Sequence, residues 1–336
     1  MRYNPQRVGG DPVVTTFLDM CSMTTPHGYE SYNWRSIPGP KVVDKHGNVH
    51  VLVGSSPIMF ACHLDTADRT PERVWFDFRK DGFVRTNGKT ILGADDKAGA
   101  SIMCHMIRNR VPGHYVFHAG EEVGCVGSKA LAESLAWGGW DKETLNGSPL
   151  PEKPDAVVSF DRRGYDSVVT HQMGVRTCSD AFAGALCDSL GLDHSPDPSG
   201  VYTDSHEYAS LVPECTNVSV GYFHQHTHSE CQNLRYLREI ADRCVRMDWR
   251  ALPINRDPGM TDFSEMSQDE LWFGTPPTPE NPDEPSNDEV EAFREMFACS
   301  EYKEAVEVLK EEGYAEEQAE DLIRWHGLKF WGDPNA

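Results

Sequence analysis

Five short clusters along the chain combine imidazoles and carboxylates: His63-Leu64-Asp65, Gly93-Ala94-Asp95-Asp96-Lys97, Glu121-Glu122, Asp161 and His226. Side chains of these two types are the ligands that borderline divalent ions such as zinc take. Taken singly, each cluster has an ordinary explanation. An HxD triplet is commonly a surface turn, adjacent glutamates a solvated face, and an aspartate after a strand a helix cap. Their joint order argues for more. Each cluster follows a strand or opens a helix, and carboxylates gathered at several strand ends repel one another unless a cation neutralises them. A pair of metal ions resolves that conflict.

The elements that must position these residues are read from hydropathy and turn residues. Lys41 to Thr66 predicts two strands, VVDKHGNVHVLV with a turn near His46-Gly47-Asn48, then PIMFACHLDT. Lys97 to Arg108 has helical spacing through Ala98, Ile102 and Met106. His114 to His118 and Ala156 to Phe160 are short apolar runs suited to buried strands, and Thr216 to Tyr222 is a further strand. Ser128 to Leu135, Thr177 to Leu190 and Leu234 to Trp249 are helical in pattern. Strands alternating with helices imply an α/β fold, a mixed, largely parallel sheet covered by helices on both faces. In such sheets the functional loops gather at the carboxyl ends of the strands.

The chain has 336 residues with 39% hydrophobic, enough for a sizeable core. No continuous apolar stretch reaches membrane-spanning length, and the N-terminus lacks the pattern of a secretory signal. A soluble, cytoplasmic protein is expected. Its ten cysteines are scattered without a CxxC pair, as suits small buried hydrophobes in a reducing compartment. The formal charge of -22 is concentrated near the end: residues 257–336 hold 22 Asp and Glu against 5 Lys and Arg, a net of -17, leaving -5 for the rest. Nucleic acid is excluded as a partner, because phosphate binding needs clustered lysine and arginine. Residues 1–256 are expected to form the catalytic domain. Residues 257–287, rich in Pro and acid, predict a flexible linker, and 288–336 a small acidic helical module. That module resembles the ubiquitin-associated three-helix type and would dock a protein partner or act as a solubilising cap.

The five clusters resemble the co-catalytic di-zinc exopeptidases of the bacterial leucyl aminopeptidase and glutamate carboxypeptidase type. The resemblance rests on ACHLDT, GADDKAG, HAGEEVGCVGS, SFDRRG and NVSVGYFHQHTHSE, in the family's order, from about residue 50 to 250. It implies two divalent ions, zinc by preference, with Asp95 bridging them. His63 and Asp161 would complete one site, Glu122 and His226 the other. Asp65 would orient the His63 imidazole. Glu121 would be the general base, taking a proton from the bridging water and returning it to the leaving amine. Among His224, His226 and His228 the family pattern selects His226. Asp96 suits a helix-start carboxylate as well as a functional one.

Spacing discriminates among relatives. Only 29 residues separate Asp65 from Asp95, and 64 separate Asp161 from His226. Neither gap holds a lid domain, which points to an aminopeptidase acting on a peptide or small amide. The alternatives are a carboxypeptidase or amidohydrolase, with Arg162 and Arg163 as a carboxylate fork, and a non-catalytic binding protein of the same fold. Tyr202 and Asp204, just before the last motif, are candidates to face the substrate.

Overall fold

The computed structural model describes residues 11–136 and 153–259. The strands and helices follow from local sequence. Pro12–Met20 (α1) starts with Pro12 at its first position while the Asp11 side chain accepts the N–H groups of Val13 and Val14. The hairpin Val42–Val43 (β1) and Val49–Val53 (β2) turns at Gly47, and Ile58–His63 (β3) follows. A second hairpin, Phe76–Phe78 (β4) and Phe83–Thr86 (β5), precedes Ala94–Arg108 (α2). Then come Gly113–His118 (β6), Val126–Ala136 (α3) and Ala156–Arg162 (β7). Ser167–Val169 (β8), His171–Gln172 (β9) and Val175–Arg176 (β10) lead to Asp180–Leu190 (α4), which is capped by the Ser179 hydroxyl. Ser195–Asp197 (β11), Glu214–Ser219 (β12), Tyr222–Phe223 (β13), Cys231–Asn233 (β14) and Leu234–Arg246 (α5) complete the order.

The main sheet has eight strands in the order β1-β2-β6-β3-β7-β12-β8-β11. Its central strands β6, β3, β7 and β12 run parallel, while β2 pairs antiparallel with β6, and β8 antiparallel with β12. The expected mixed, largely parallel sheet is therefore present. Alternation along β3 shows why it is covered twice: Ile58, Phe60 and Cys62 join one apolar cluster, Met59 and Ala61 another. Phe60 anchors the larger cluster, edge-on to Trp249 at 4.7 Å and tilted against Tyr115 at 5.0 Å. Burying a ring of this size contributes about 1.5–3 kcal/mol. The face of α5 with Leu237, Ile240, Ala241 and Cys244 is buried, while its arginines Arg235, Arg238, Arg243 and Arg246 project outward.

The gap between Asp65 and Asp95 holds the β4–β5 hairpin, and its β5 pairs antiparallel with β14 to form a four-stranded sheet, β13-β14-β5-β4. Among the described residues no helix is long and apolar enough to cross a membrane. The helical module expected at 288–336 and nearly all of the linker lie outside the described residues.

Candidate metal centre

The clusters converge at one end of the main sheet. His63 is the last residue of β3, Asp161 lies near the end of β7, and the loop 119–122 carrying the two glutamates leaves the end of β6. His226 sits on the connection between β13 and β14, and Asp95 stands in the first turn of α2. Three parallel strands, β3, β6 and β7, thus deliver their carboxyl ends, or the loops after them, to one place. The start of α2 approaches β7 so closely that a methyl group on Gly99 would stand 2.1 Å from the Phe160 carbonyl oxygen.

Asp95 is the centre of the cluster. Its Oδ1 is 3.0 Å from His63 Nε2, and its Oδ2 is 3.2 Å from His226 Nε2. On the His63 side stands Asp161 Oδ1, 3.7 Å from the same imidazole nitrogen. On the His226 side stands Glu122 Oε2, at 3.1 Å. The His63 side is closed, its imidazole 1% exposed, whereas the His226 imidazole is 50% exposed. Solvent therefore enters from the His226 side.

The charges are mutually dependent. Burial works against a charge on Asp95, but hydrogen bonds to His226 and His63 hold its carboxyl below the usual range. Burial also works against charge on His226, yet Asp95 and Glu122 raise it to about 11. Glu121 is pushed well above the ordinary carboxylate range by burial, with repulsion from Asp161, Asp204 and Glu122 adding to it.

The donor set fits divalent ions. His63, Asp95 and Glu122 each offer an atom within 4.8 Å of the others, as do His63, Asp96 and Asp161. Glu122 Oε1 and Asp96 Oδ2 are buried without a hydrogen-bond partner, a costly arrangement that a cation would relieve. Asp96 Oδ1 accepts the N–H of Gly99 as a helix cap, so only its Oδ2 is left without a partner. A third grouping, His27 with Glu30 and Asp65, is satisfied by the 2.7 Å His27–Glu30 contact and by main-chain donors to Asp65.

Asp65 stands by His63, but its main-chain oxygen, at 3.1 Å, is nearer to Nδ1 than its carboxylate at 3.5 Å. The carboxylate instead accepts the N–H groups of Glu121 and Glu122. Thr203, Tyr222 and Asn217 support the site and carry no signal in the sequence. Thr203 and Tyr222 donate their hydroxyls to the two oxygens of Asp161 at 2.6 and 3.0 Å. The Asn217 side chain brackets the Asp161 main chain. Asp204 is fully enclosed, with neither carboxylate oxygen hydrogen-bonded, and burial raises it to about 8. Tyr202, by contrast, packs on His206 at 5.1 Å. Arg162 donates through Nη2 to Asp197 and to Ser199, while its Nε is buried without a hydrogen-bond partner.

No protein-family model matches the chain. Over 85 residues it is 39% identical to the uncharacterised protein YqjE of Bacillus subtilis, a stretch that spans 23% of this chain and 22% of that protein. Among solved structures it resembles aminopeptidase PepT from Bacillus cereus, with TM-score 0.57 and 17% identity over 72% of this chain and 97% of that one. A tripeptidase from Staphylococcus aureus is similar at TM-score 0.55 and 16% identity, over 72% and 97% of the two chains. The likeness is one of fold. At these identities it establishes a shared mixed α/β architecture and leaves the chemistry to the residues.

Proposed function

We propose that the chain is an aminopeptidase that works with two divalent metal ions, zinc by preference, and removes N-terminal residues from peptides. The observation that carries this reading is the pair of oxygens of Asp95, one beside His63 and Asp161, the other beside His226 and Glu122. That geometry suits Asp95 as the shared ligand, His63 and Asp161 as the ligands of one ion, and Glu122 and His226 as those of the other. Two ions bound there would supply polarisation of the scissile carbonyl and acidification of the attacking water. Further support comes from the names of the fold relatives, an aminopeptidase and a tripeptidase.

The protein's own part in the reaction falls to Glu121. Its carboxyl takes a proton from the attacking water and passes it to the leaving amine, a role that a buried carboxylate of raised proton affinity suits. The Cys125 thiol lies 3.7 Å from Glu121 Oε1 and helps to orient it. The nine described cysteines are all buried thiols, which supports a reducing compartment such as the cytoplasm.

The deciding experiment is turnover of amino-acid anilides and short free-amine peptides by zinc- or cobalt-loaded protein. Hydrolysis of free-amine but not N-blocked substrates is the expected result. Hydrolysis of N-blocked substrates alone would replace the reading with an amidohydrolase, and no metal uptake would replace it with a binding protein.

A further inference from the structure

Glu230 lies four residues beyond His226, at the end of the same connection, and is 1% exposed. Its Oε2 accepts the N–H groups of Leu92 at 2.8 Å and Gly93 at 2.7 Å, and its Oε1 accepts that of Asp95 at 3.0 Å. One carboxylate therefore holds the stretch of backbone that presents Asp95. This is not a helix cap. Asp95 and Asp96 depart from helical backbone angles, and the regular part of α2 is capped separately by Asp96 on Gly99. The donors to Glu230 lie before the regular part of α2.

The other end of the tie is equally short. Glu230 N–H donates to the Thr227 carbonyl, and the Thr227 hydroxyl donates to the His224 carbonyl, so the turn from His226 to Glu230 is internally braced. Gly93, at φ +69, has a left-handed conformation in which a Cβ would meet the Thr66 methyl at 2.8 Å, so the backbone leading to Asp95 needs glycine there. The two tied segments meet again at the site, where Asp95 Oδ2 and His226 Nε2 are 3.2 Å apart.

We infer that Glu230 is a positioning residue that sets the separation of Asp95 and His226, and with it the metal affinity of the position framed by Glu122 and His226. This rests on the two-metal reading. Gln in its place keeps the shape but turns an N–H₂ group toward a main-chain N–H in either orientation of the amide, because both carboxylate oxygens are acceptors here.

The test is titration of the chelator-treated, full-length chain with Co²⁺, followed by visible absorption and metal content. E230Q is compared with E230D and with E214Q, Glu214 being a fully buried acceptor that holds Ser179, Asn255 and Arg256 away from the cluster. The native chain is expected to take up two ions. E230Q should bind one as the native chain does and the other about 10–100-fold more weakly. E230D should recover part of that loss, and E214Q should bind both normally. Native-like binding of both ions by folded E230Q overturns the inference, as does an equal weakening in E214Q. If circular dichroism shows E230Q unfolded, E230D decides: an unchanged second site overturns the inference, a weakened one supports it. Failure of the native chain to bind two ions instead overturns the two-metal reading, and this inference with it.

Discussion

The carboxylate of Asp65 accepts the main-chain N–H of Glu121 at 3.1 Å. Its other oxygen takes the N–H of Glu122 at the same distance. A residue of the first cluster thus sets the backbone of the third. Asp65 is fully buried, so these bonds are shielded from competing water.

Asp65→Asn leaves one acceptor oxygen and places an N–H₂ group against the other main-chain donor. The Glu121–Glu122 loop should shift, and zinc affinity should fall about 10–100-fold. Competition against a chelator of known affinity measures this. Unchanged affinity would remove Asp65 from the support of the site.

Glu121 is assigned a proton-transfer role and no ligand role. Glu121→Gln should therefore retain about two metal ions per chain while turnover falls about 10²–10⁴-fold. Elemental analysis beside an anilide assay separates the two effects. Loss of metal in this variant would reassign Glu121 as a ligand.

The contact of α2 with β7 leaves no space at Gly99, where a Cβ would meet both the Phe160 carbonyl and the Asp96 carboxylate. Gly99→Ala should destabilise the protein by about 1–3 kcal/mol through backbone displacement. A thermal midpoint equal to that of the native chain would contradict this packing.

His118 sits behind the site, 3.2 Å from Asn48 Oδ1 and 3.3 Å from the Tyr208 hydroxyl, and burial lowers it to about 3. A histidine lowered in the folded state adds stability above its unfolded value of 6.5, and that stability is lost as pH falls from 6.5 toward 3. The loss from this group should reach roughly 2 kcal/mol by pH 5. Urea midpoints of the native chain and His118→Gln between pH 7 and pH 5 check it. The variant should be weaker at neutral pH but flatter in its pH response, and parallel curves would exclude His118 as the source.

The described domain is tied off at its end. Arg256 donates to the carbonyls of Pro213, Ala209 and Val212, and Glu214 accepts the N–H groups of Asn255 and Arg256. A chain ending at Gly259 is therefore predicted to fold and to retain turnover of small peptides. Aggregation or loss of that turnover would show that residues beyond 259 are needed by the catalytic domain.

The sequence by itself determined the donor types, their order and the class of fold. Strand and helix periodicity is a local property, so β3, β6, β7, α2 and α5 are legible from their own residues, and the clusters at their ends follow. The gap lengths also limited what fits between clusters. Tertiary structure decided how the pieces meet. Which oxygen of Asp95 faces which histidine, the clamp from Asp65 to Glu121 across 56 positions, and the tie from Glu230 to Asp95 across 135 are contacts between distant residues. Nor does the sequence reveal that β5 pairs with β14, or that Thr203 and Tyr222 hold Asp161. The reason is physical: periodicity records which face of an element is apolar, whereas the partner of a buried polar atom is chosen only when the elements pack together.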